Sequence, residues 1–380
     1  MARTVNWEDL RELAAFEADK GFAVSLYLDL DPSVTPTPAD AATRLHSLLD
    51  EAGRFAAAHS EELTHDQKVG LRADLQRIRE YYEHEFTRDG ARSFAIYVDG
   101  LDDLWQLVPL LDPVEDEAKV ARTLYLAPLV ALVGRGEGAL VVVVGRERGE
   151  ILRLQGGRLV EAADRTEERP GKHDQGGLSQ ARYQRHIEHL VEDHLRHVAD
   201  ELDRLVRREH GPRVVVISTE ETRAEFDDLL SKEAQGAVVG WAHADAHAKP
   251  AELLALAEPV LEHKQAEEET AVLERWRAEA GRNSRASAGW EQTLEAVSDA
   301  RVELLLFQNG VGHPAAVCPR CGRLAADEGP CPLDGTPMKR SDDGLDLAVH
   351  QTLRHGGKAW AVRHHQDLEP VEGIGALLRF

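Results

Sequence analysis

Cysteine is scarce in this 380-residue chain: Cys318, Cys321 and Cys331 are its whole complement, and they share one short segment. Thiols grouped this way exclude a disulfide framework spread through the fold. In a reducing compartment they read as metal ligands. Long apolar runs are missing, and none approaches the length of a membrane span. The start, Met-Ala-Arg-Thr-Val-Asn-Trp-Glu-Asp, lacks the charged-then-apolar form of a secretory leader. A cytoplasmic protein with no membrane partner is therefore expected. Basic charge is in deficit, with 45 Lys and Arg against 68 Asp and Glu and a net charge of −23. That excludes nucleic-acid binding by a uniformly basic surface. No Gly-Lys-Ser/Thr phosphate loop, dinucleotide fingerprint or Gly-x-Ser-x-Gly elbow occurs. Gly134-Arg-Gly-Glu-Gly138 is glycine-rich but short, and reads as a turn.

An apolar share of 42% supports buried cores, and the length suits two or three domains. Trp7, Leu10, Leu13 and Phe16 give a short helix within 6–20. The run from Phe22 to Leu30 reads as a buried strand stopped by Asp31-Pro32. Helical patterns cover 39–58 and 64–86, the second with Thr64 as N-cap. Strands over 92–98 and 104–110 complete an α/β sandwich domain, 1–124. A middle α/β domain, 125–263, has strands at 139–145, 150–155, 158–162, 213–218 and 236–243. Ser218 with Glu221 forms a capping box for a helix to about Leu230. Strand–helix alternation implies partly parallel pairing. Pro250 to Gly281 is one acidic helical pattern that bridges to a third α/β domain, 264–380. There a helix from Gly289 runs into a buried strand ending at Phe307. A cysteine-rich knuckle insertion occupies 313–342.

The most distinctive stretch is Lys172-His173-Asp174-Gln175-Gly176-Gly177-Leu178-Ser179-Gln180. Adjacent glycines make a loop that local contacts cannot hold in one shape. It opens a long helix with apolar residues at Tyr183, Ile187, Leu190, Val191, Leu195, Val198, Leu202, Leu205 and Val206. Arg182 and Arg185 with Lys172 form a cationic flank suited to RNA phosphate. Between Arg165 and Arg213 acids balance bases, so a solvated face laced with intrahelical ion pairs is an equal reading.

Cys318-Pro-Arg-Cys321-Gly322 and Cys331-Pro-Leu-Asp334-Gly335 are two zinc-knuckle halves, the second with Asp334 in a cysteine's place. Zinc wants four tetrahedral ligands, so Cys318, Cys321, Cys331 and Asp334 are the candidate set for a structural zinc. His313 is the other candidate for the fourth place. His243-Ala-Asp245-Ala-His247 and the helical pairs His186 with His189 and His194 with His197 also have ligand spacing. Solvated faces produce such pairs often.

Gly176 to Tyr183 resembles the Gly-Gly-Gln loop of archaeal and eukaryotic class-1 release factors, which is followed by Ser and then Arg-Phe at the head of a long helix. Val24-Ser-Leu-Tyr-Leu is similar to the first strand of that family. The helix leading into Val302-Glu-Leu-Leu-Leu resembles a segment of release factors and Pelota. The ending Gly373-Ile-Gly-Ala-Leu-Leu-Arg-Phe resembles the family's Gly-Ile-Gly-small-Ile-Leu-Arg-Tyr. The whole pattern resembles the bacterial branch of the archaeo-eukaryotic release factor and Pelota family, most of all its Balon-type ribosome hibernation factors.

The resemblance implies a three-domain protein in the ribosomal A site, contacting rRNA of the decoding and peptidyl transferase centres, with a translational GTPase as a further partner. Its contact set is Lys172, His173, Gln175, Gly176, Gly177, Leu178, Ser179, Gln180, Arg182 and Arg185. Leu178 stands where the family's catalytic glutamine stands. Leucine has no donor to orient water, so no catalytic residue is assigned and occupancy without peptide release is expected. The family's Asn-Ile-Lys-Ser codon loop has no counterpart in the acidic 56–66 connection. Two alternatives stay open. Gln175 or Gln180 stands in and hydrolyses peptidyl-tRNA, or the chain is a stress protein that binds RNA or a protein partner off the ribosome.

Overall fold

Helix α1 (Trp7–Ala14) leads into β1 (Ala23–Asp29), a strand buried along its whole length. The reason is an antiparallel sheet covered on both faces. β1 pairs with β2 (Ser93–Asp99) and β4 (Glu117–Ala121), and β3 (Leu104–Leu110) closes the order β3-β2-β1-β4. Val24, Leu26 and Leu28 with Phe94, Ile96 and Val98 point to one face, under helices α2 (Pro38–Ala58) and α3 (His65–His84). Ala23 and Tyr27 with Ala95 and Tyr97 point to the other. The period-2 alternation of a strand thus serves two cores. Thr64 caps α3 as predicted, in a reciprocal box with Gln67, and Thr37 with Asp40 does the same for α2. The short helix α4 (Ala127–Val130) follows the sheet. The computed structural model describes every residue except 1–4, 6, 60, 62, 89, 111, 134–137, 156–157, 167–179, 210–211, 245–247 and 283, and the side chains of 56 and 180–188.

The middle of the chain, Gly134–Glu267, is one compact unit. Its sheet has the order β7-β6-β5-β8-β9. β5 (Leu140–Val144), β6 (Gly149–Gln155) and β7 (Arg158–Asp164) form an antiparallel meander. Helix α5 (Gln180–Arg208) then crosses to β8 (Val214–Ser218), which lies parallel to β5. Helices α6 (Glu220–Leu229) and α7 (Lys232–Ala237) lead to β9 (Val238–His243), parallel to β8. The sheet is therefore partly parallel, as the strand–helix alternation implied. Leu140, Val142, Val144, Val214 and Val216 face α5, α6 and α7. Val141, Val143, Val215 and Ile217 face the first half of α8 (Pro250–Gly281) through Leu253, Ala257 and Leu261. One prediction fails here. The N-cap of α6 is Thr219, not Ser218, because Ser218 remains in β8 paired with His243. The Thr219 hydroxyl bonds that of Thr222, and no side chain caps the helix.

The two chain ends, Met1–Val133 and Glu268–Phe380, form the second compact unit. The C-terminal part has its own sheet, order β10-β16-β11-β15, from β10 (Ala286–Ala288), β11 (Val302–Gln308), β15 (Lys358–Val362) and β16 (Ile374–Leu378). Helices α9 (Gly289–Ser298) and α10 (Gly344–Arg354) cover one face, and the second half of α8 covers the other with Leu273 and Trp276. Trp290, Leu294, Val349 and Leu353 share a core with Tyr27 and Tyr97 of the first sheet. The Gly-Ile-Gly ending has a steric reason. Gly373 has φ +78°, and a Cβ on Gly375 would lie 2.8 Å from Trp276 Nε1. Between β11 and α10 lies a small antiparallel ribbon, order β13-β12-β14: β12 (Ala315–Val317), β13 (Leu324–Ala325) and β14 (Lys339–Ser341).

Candidate functional site

The ribbon brings its two knuckles together. In the first, Gly322 donates to the Cys318 carbonyl at 2.9 Å, and in the second Gly335 donates to the Cys331 carbonyl at 2.8 Å. Gly322 has φ +75° and Gly335 +71°, a backbone region that favours glycine. The two turns are thus near copies despite the change of Cys for Asp. Cys321 Sγ lies 3.6 Å from Cys331 Sγ, and Cys318 Sγ lies 3.7 Å from both Asp334 oxygens. All four ligand atoms fall within 4.8 Å of one another. Thiolate and carboxylate ligands about 2.0–2.3 Å from one zinc stand roughly 3.3–3.8 Å apart in a tetrahedron, so the donor set fits such an ion. His313 is not part of the cluster. It stacks on Trp290 at 4.7 Å and bonds the Pro314 carbonyl.

The electrostatics suit a cation. Asp334 is held below the usual carboxylate range, first by the Thr336 N–H at 2.9 Å. Burial raises the Cys318 thiol, but N–H groups of Cys321 and Arg320 outweigh it and hold its pKa below the ordinary thiol value. The Arg323 N–H lowers Cys321, yet the neighbouring sulfurs and burial push it up to about 11. Three thiols and a carboxylate packed this closely repel once ionised, and a divalent ion relieves that repulsion. The ribbon's own core is small, Ala316, Cys318, Cys331 and Met338 with Ala325 partly buried against them, while Ala315 and Leu324 pack into the larger core beside it.

The other candidate element is α5. Its 29 residues reach about 43 Å at 1.5 Å per residue. Val191, Leu195, Val198, Leu202, Leu205 and Val206 are buried against the sheet, as the helical spacing predicted. The fit is close at the β5–β6 turn. A Cβ on Gly149 would stand 2.6 Å from Val198 Cγ2 and 2.9 Å from His194 Cε1. His194 is fully buried there with Nε2 donating to the Arg148 carbonyl, while His197 is exposed. The two therefore face different ways and do not form a metal pair.

The cationic flank does not extend along the described part of α5. Arg196 pairs with Glu192 and Asp193, Arg204 with Glu201, and Arg207 with Asp203 and Glu233. Arg165 also pairs with the nearly buried Glu201. Here the ion-paired reading of the sequence holds. Lys172, His173, Gln175, Gly176, Gly177, Leu178 and Ser179 lie outside the described residues, as do the side chains of Gln180, Arg182, Arg185 and His186 and all of Asp245 and His247.

Sequence reasoning missed a buried polar cluster in the unit of the chain ends. Asp346 on α10 accepts from the Leu126 N–H at 3.0 Å, beside Lys119, which pairs with Asp343 at 2.8 Å. Tyr27 and Tyr97 share a 2.7 Å hydroxyl–hydroxyl bond nearby. Burial pushes Asp346 up to about 7, against the pull of the Leu126 N–H and the Lys119 ammonium. A signal was present. Asp346 lies at helical spacing from Val349, His350 and Leu353, on the face that α10 buries.

Residues 125–262 match the family model of bacterial archaeo-eukaryotic release factor family 10. Peptide chain release factor subunit 1 of Archaeoglobus fulgidus is 22% identical over 338 residues, covering 85% of this chain and 81% of that protein. Among solved structures, the archaeal translation termination factor aRF1 covers 99% of both chains at 14% identity with a TM-score of 0.28. Ribosome-bound archaeal Pelota covers 72% of this chain and 73% of its own at 14% identity, with a TM-score of 0.43. The chain is therefore similar to archaeo-eukaryotic release factors, by a family model over its middle segment and by a distant sequence likeness along most of its length.

Proposed function

We propose that this chain is a ribosome-associated factor that occupies the A site without releasing peptide. The observation that carries the reading is Leu178, in the place of the catalytic glutamine within an otherwise release-factor-like loop. Peptide release needs a polar group that orients water as charge develops, and a leucine side chain offers none. The cations Lys172, Arg182 and Arg185, which bracket Gly176-Gly177 in sequence, would contact rRNA or tRNA phosphate. Residues 1–124, 125–263 and 264–380 would be the three working domains, directed to the decoding centre, the peptidyl transferase centre and the stalk-base and elongation-factor region. Occupancy would block tRNA entry and preserve idle ribosomes under stress, in the cytoplasm, with a translational GTPase as delivery partner. The 313–342 insertion would be a ribbon stiffened by a structural zinc.

The family-model match over residues 125–262 and the deep seating of α5 on its sheet support a rigid base for that loop. The test is sedimentation with vacant 70S ribosomes at moderate salt, run beside a peptide-release assay. Co-sedimentation without release is expected. A second reading rests on Gln175 and Gln180, which flank the glycines: one of them hydrolyses peptidyl-tRNA. Release that disappears in Gln175→Ala or Gln180→Ala would establish that reading instead. Crosslinking that recovers mainly non-ribosomal RNA, with no co-sedimentation, would place the protein off the ribosome.

A further inference from the structure

The four ligand atoms of the ribbon are not equivalent. Cys318 is buried and turned to the Asp334 carboxylate, whereas Cys321 is exposed and turned to Cys331. The 3.6 Å between the Cys321 and Cys331 sulfurs leaves a movement of roughly 1.6 Å to the 2.05 Å of a disulfide. Cys321 is thus the thiol a solute reaches first, reacting through the ionised fraction that its raised pKa keeps small, and Cys331 is the one placed to resolve it. We propose that Cys321 and Cys331 are a peroxide-sensitive pair whose disulfide can replace the metal as the crosslink of the ribbon.

The chemistry balances with hydrogen peroxide as the oxidant. Cys321 sulfur attacks the O–O bond and becomes a sulfenic acid, and the departing hydroxide is protonated to water. Cys331 sulfur then attacks Cys321 sulfur, forming the S–S bond and releasing a second water. In sum, two thiols and one peroxide give one disulfide and two waters. Only Cys318 and Asp334 are then left of the donor set, and one thiol with one carboxylate is too few for a structural zinc. The ribbon would stay closed, because the new bond ties the two knuckles at the same place the ion did. A site with a fourth cysteine could form two disulfides; Asp334 limits this one to a single bridge with one thiol left over. The exchange of crosslinks rests on the metal reading of the ribbon, while the disulfide itself does not.

The test uses the full chain purified with zinc, treated with hydrogen peroxide, and read by a zinc-release dye and by peptide mass mapping after alkylation. One Cys321–Cys331 bridge, an alkylated Cys318 and near-complete loss of zinc are expected. Cys321→Ser and Cys331→Ser should abolish the bridge and Cys318→Ser should keep it; the wild-type map decides alone if a variant fails to fold. A bridge containing Cys318, or Cys321 carried to sulfinic acid with no bridge, overturns the proposal. So does no oxidation at a peroxide dose that oxidises the urea-unfolded chain. A bridge formed by protein that never held zinc keeps the pair and sinks the metal reading; bound zinc with no bridge does the reverse.

Discussion

The middle unit and the unit made of the two chain ends bury charge differently. Among the described residues, the sheet of the middle unit is packed with Val, Leu and Ile, and the ionisable groups buried around it are His194 and Glu201. The unit of the chain ends buries Asp29, Asp31, Asp74, Asp99, Glu269, Asp346 and His350. Their roles are structural. Glu269 accepts from the N–H groups of Arg363, His364 and His365, and Asp74 accepts from that of Gly100. Burial pushes Asp346 to about 7 and Asp99 to about 6, and pushes His350 down to about 4. The lesson is that two units of one chain, each built on a sheet, should answer pH differently.

The largest effect should come from Asp346→Asn. A carboxyl raised in the fold binds its proton more tightly when folded, so stability falls as pH rises from the unfolded value toward about 7. Removing the charge should recover roughly 4 kcal/mol at pH 8 in the unit of the chain ends, read by hydrogen exchange of α4 and α10. An unchanged pH slope would break the comparison. His350 acts with the opposite sign. It must stay neutral in the fold, so its contribution is lost as pH falls from about 6.5 toward about 4. His350→Gln should remove an acid-side loss of roughly 3 kcal/mol and leave the alkaline side alone.

The middle unit supplies the contrast. Gly149→Ala drives a methyl into Val198 and His194 and should cost about 1–3 kcal/mol. Faster exchange in β6 and α5 would report it, and unchanged exchange would mean that the turn relaxes around the methyl. Smallest of all, Arg196→Ala removes an exposed pair with Glu192 and should change denaturant stability by less than about 1 kcal/mol.

Much of this was legible in the sequence. The Thr64 capping box, the apolar stripe of α5 and the uninterrupted Pro250–Gly281 helix follow from local chemistry. The convergence of Cys318, Cys321, Cys331 and Asp334 could be read because cysteine spacing and the two glycines dictate the turns. Other features depend on distant partners. β4 was missed because its short Glu117–Ala121 segment becomes a strand only by pairing with β1. α7 was missed, and its last two residues were read into the strand at 236–243, since Gly236-Ala237 carries no helical period. The core shared by Trp290 and Tyr27 joins residues too far apart in sequence for any pattern to reveal.

The central claim is that a release-type loop without its glutamine still enters the ribosome. A density map of the protein on a vacant 70S ribosome tests it most directly. The account predicts density in the A site with residues 172–185 at the peptidyl transferase centre. Binding elsewhere on the particle, or that segment folded away from the large subunit, would contradict it.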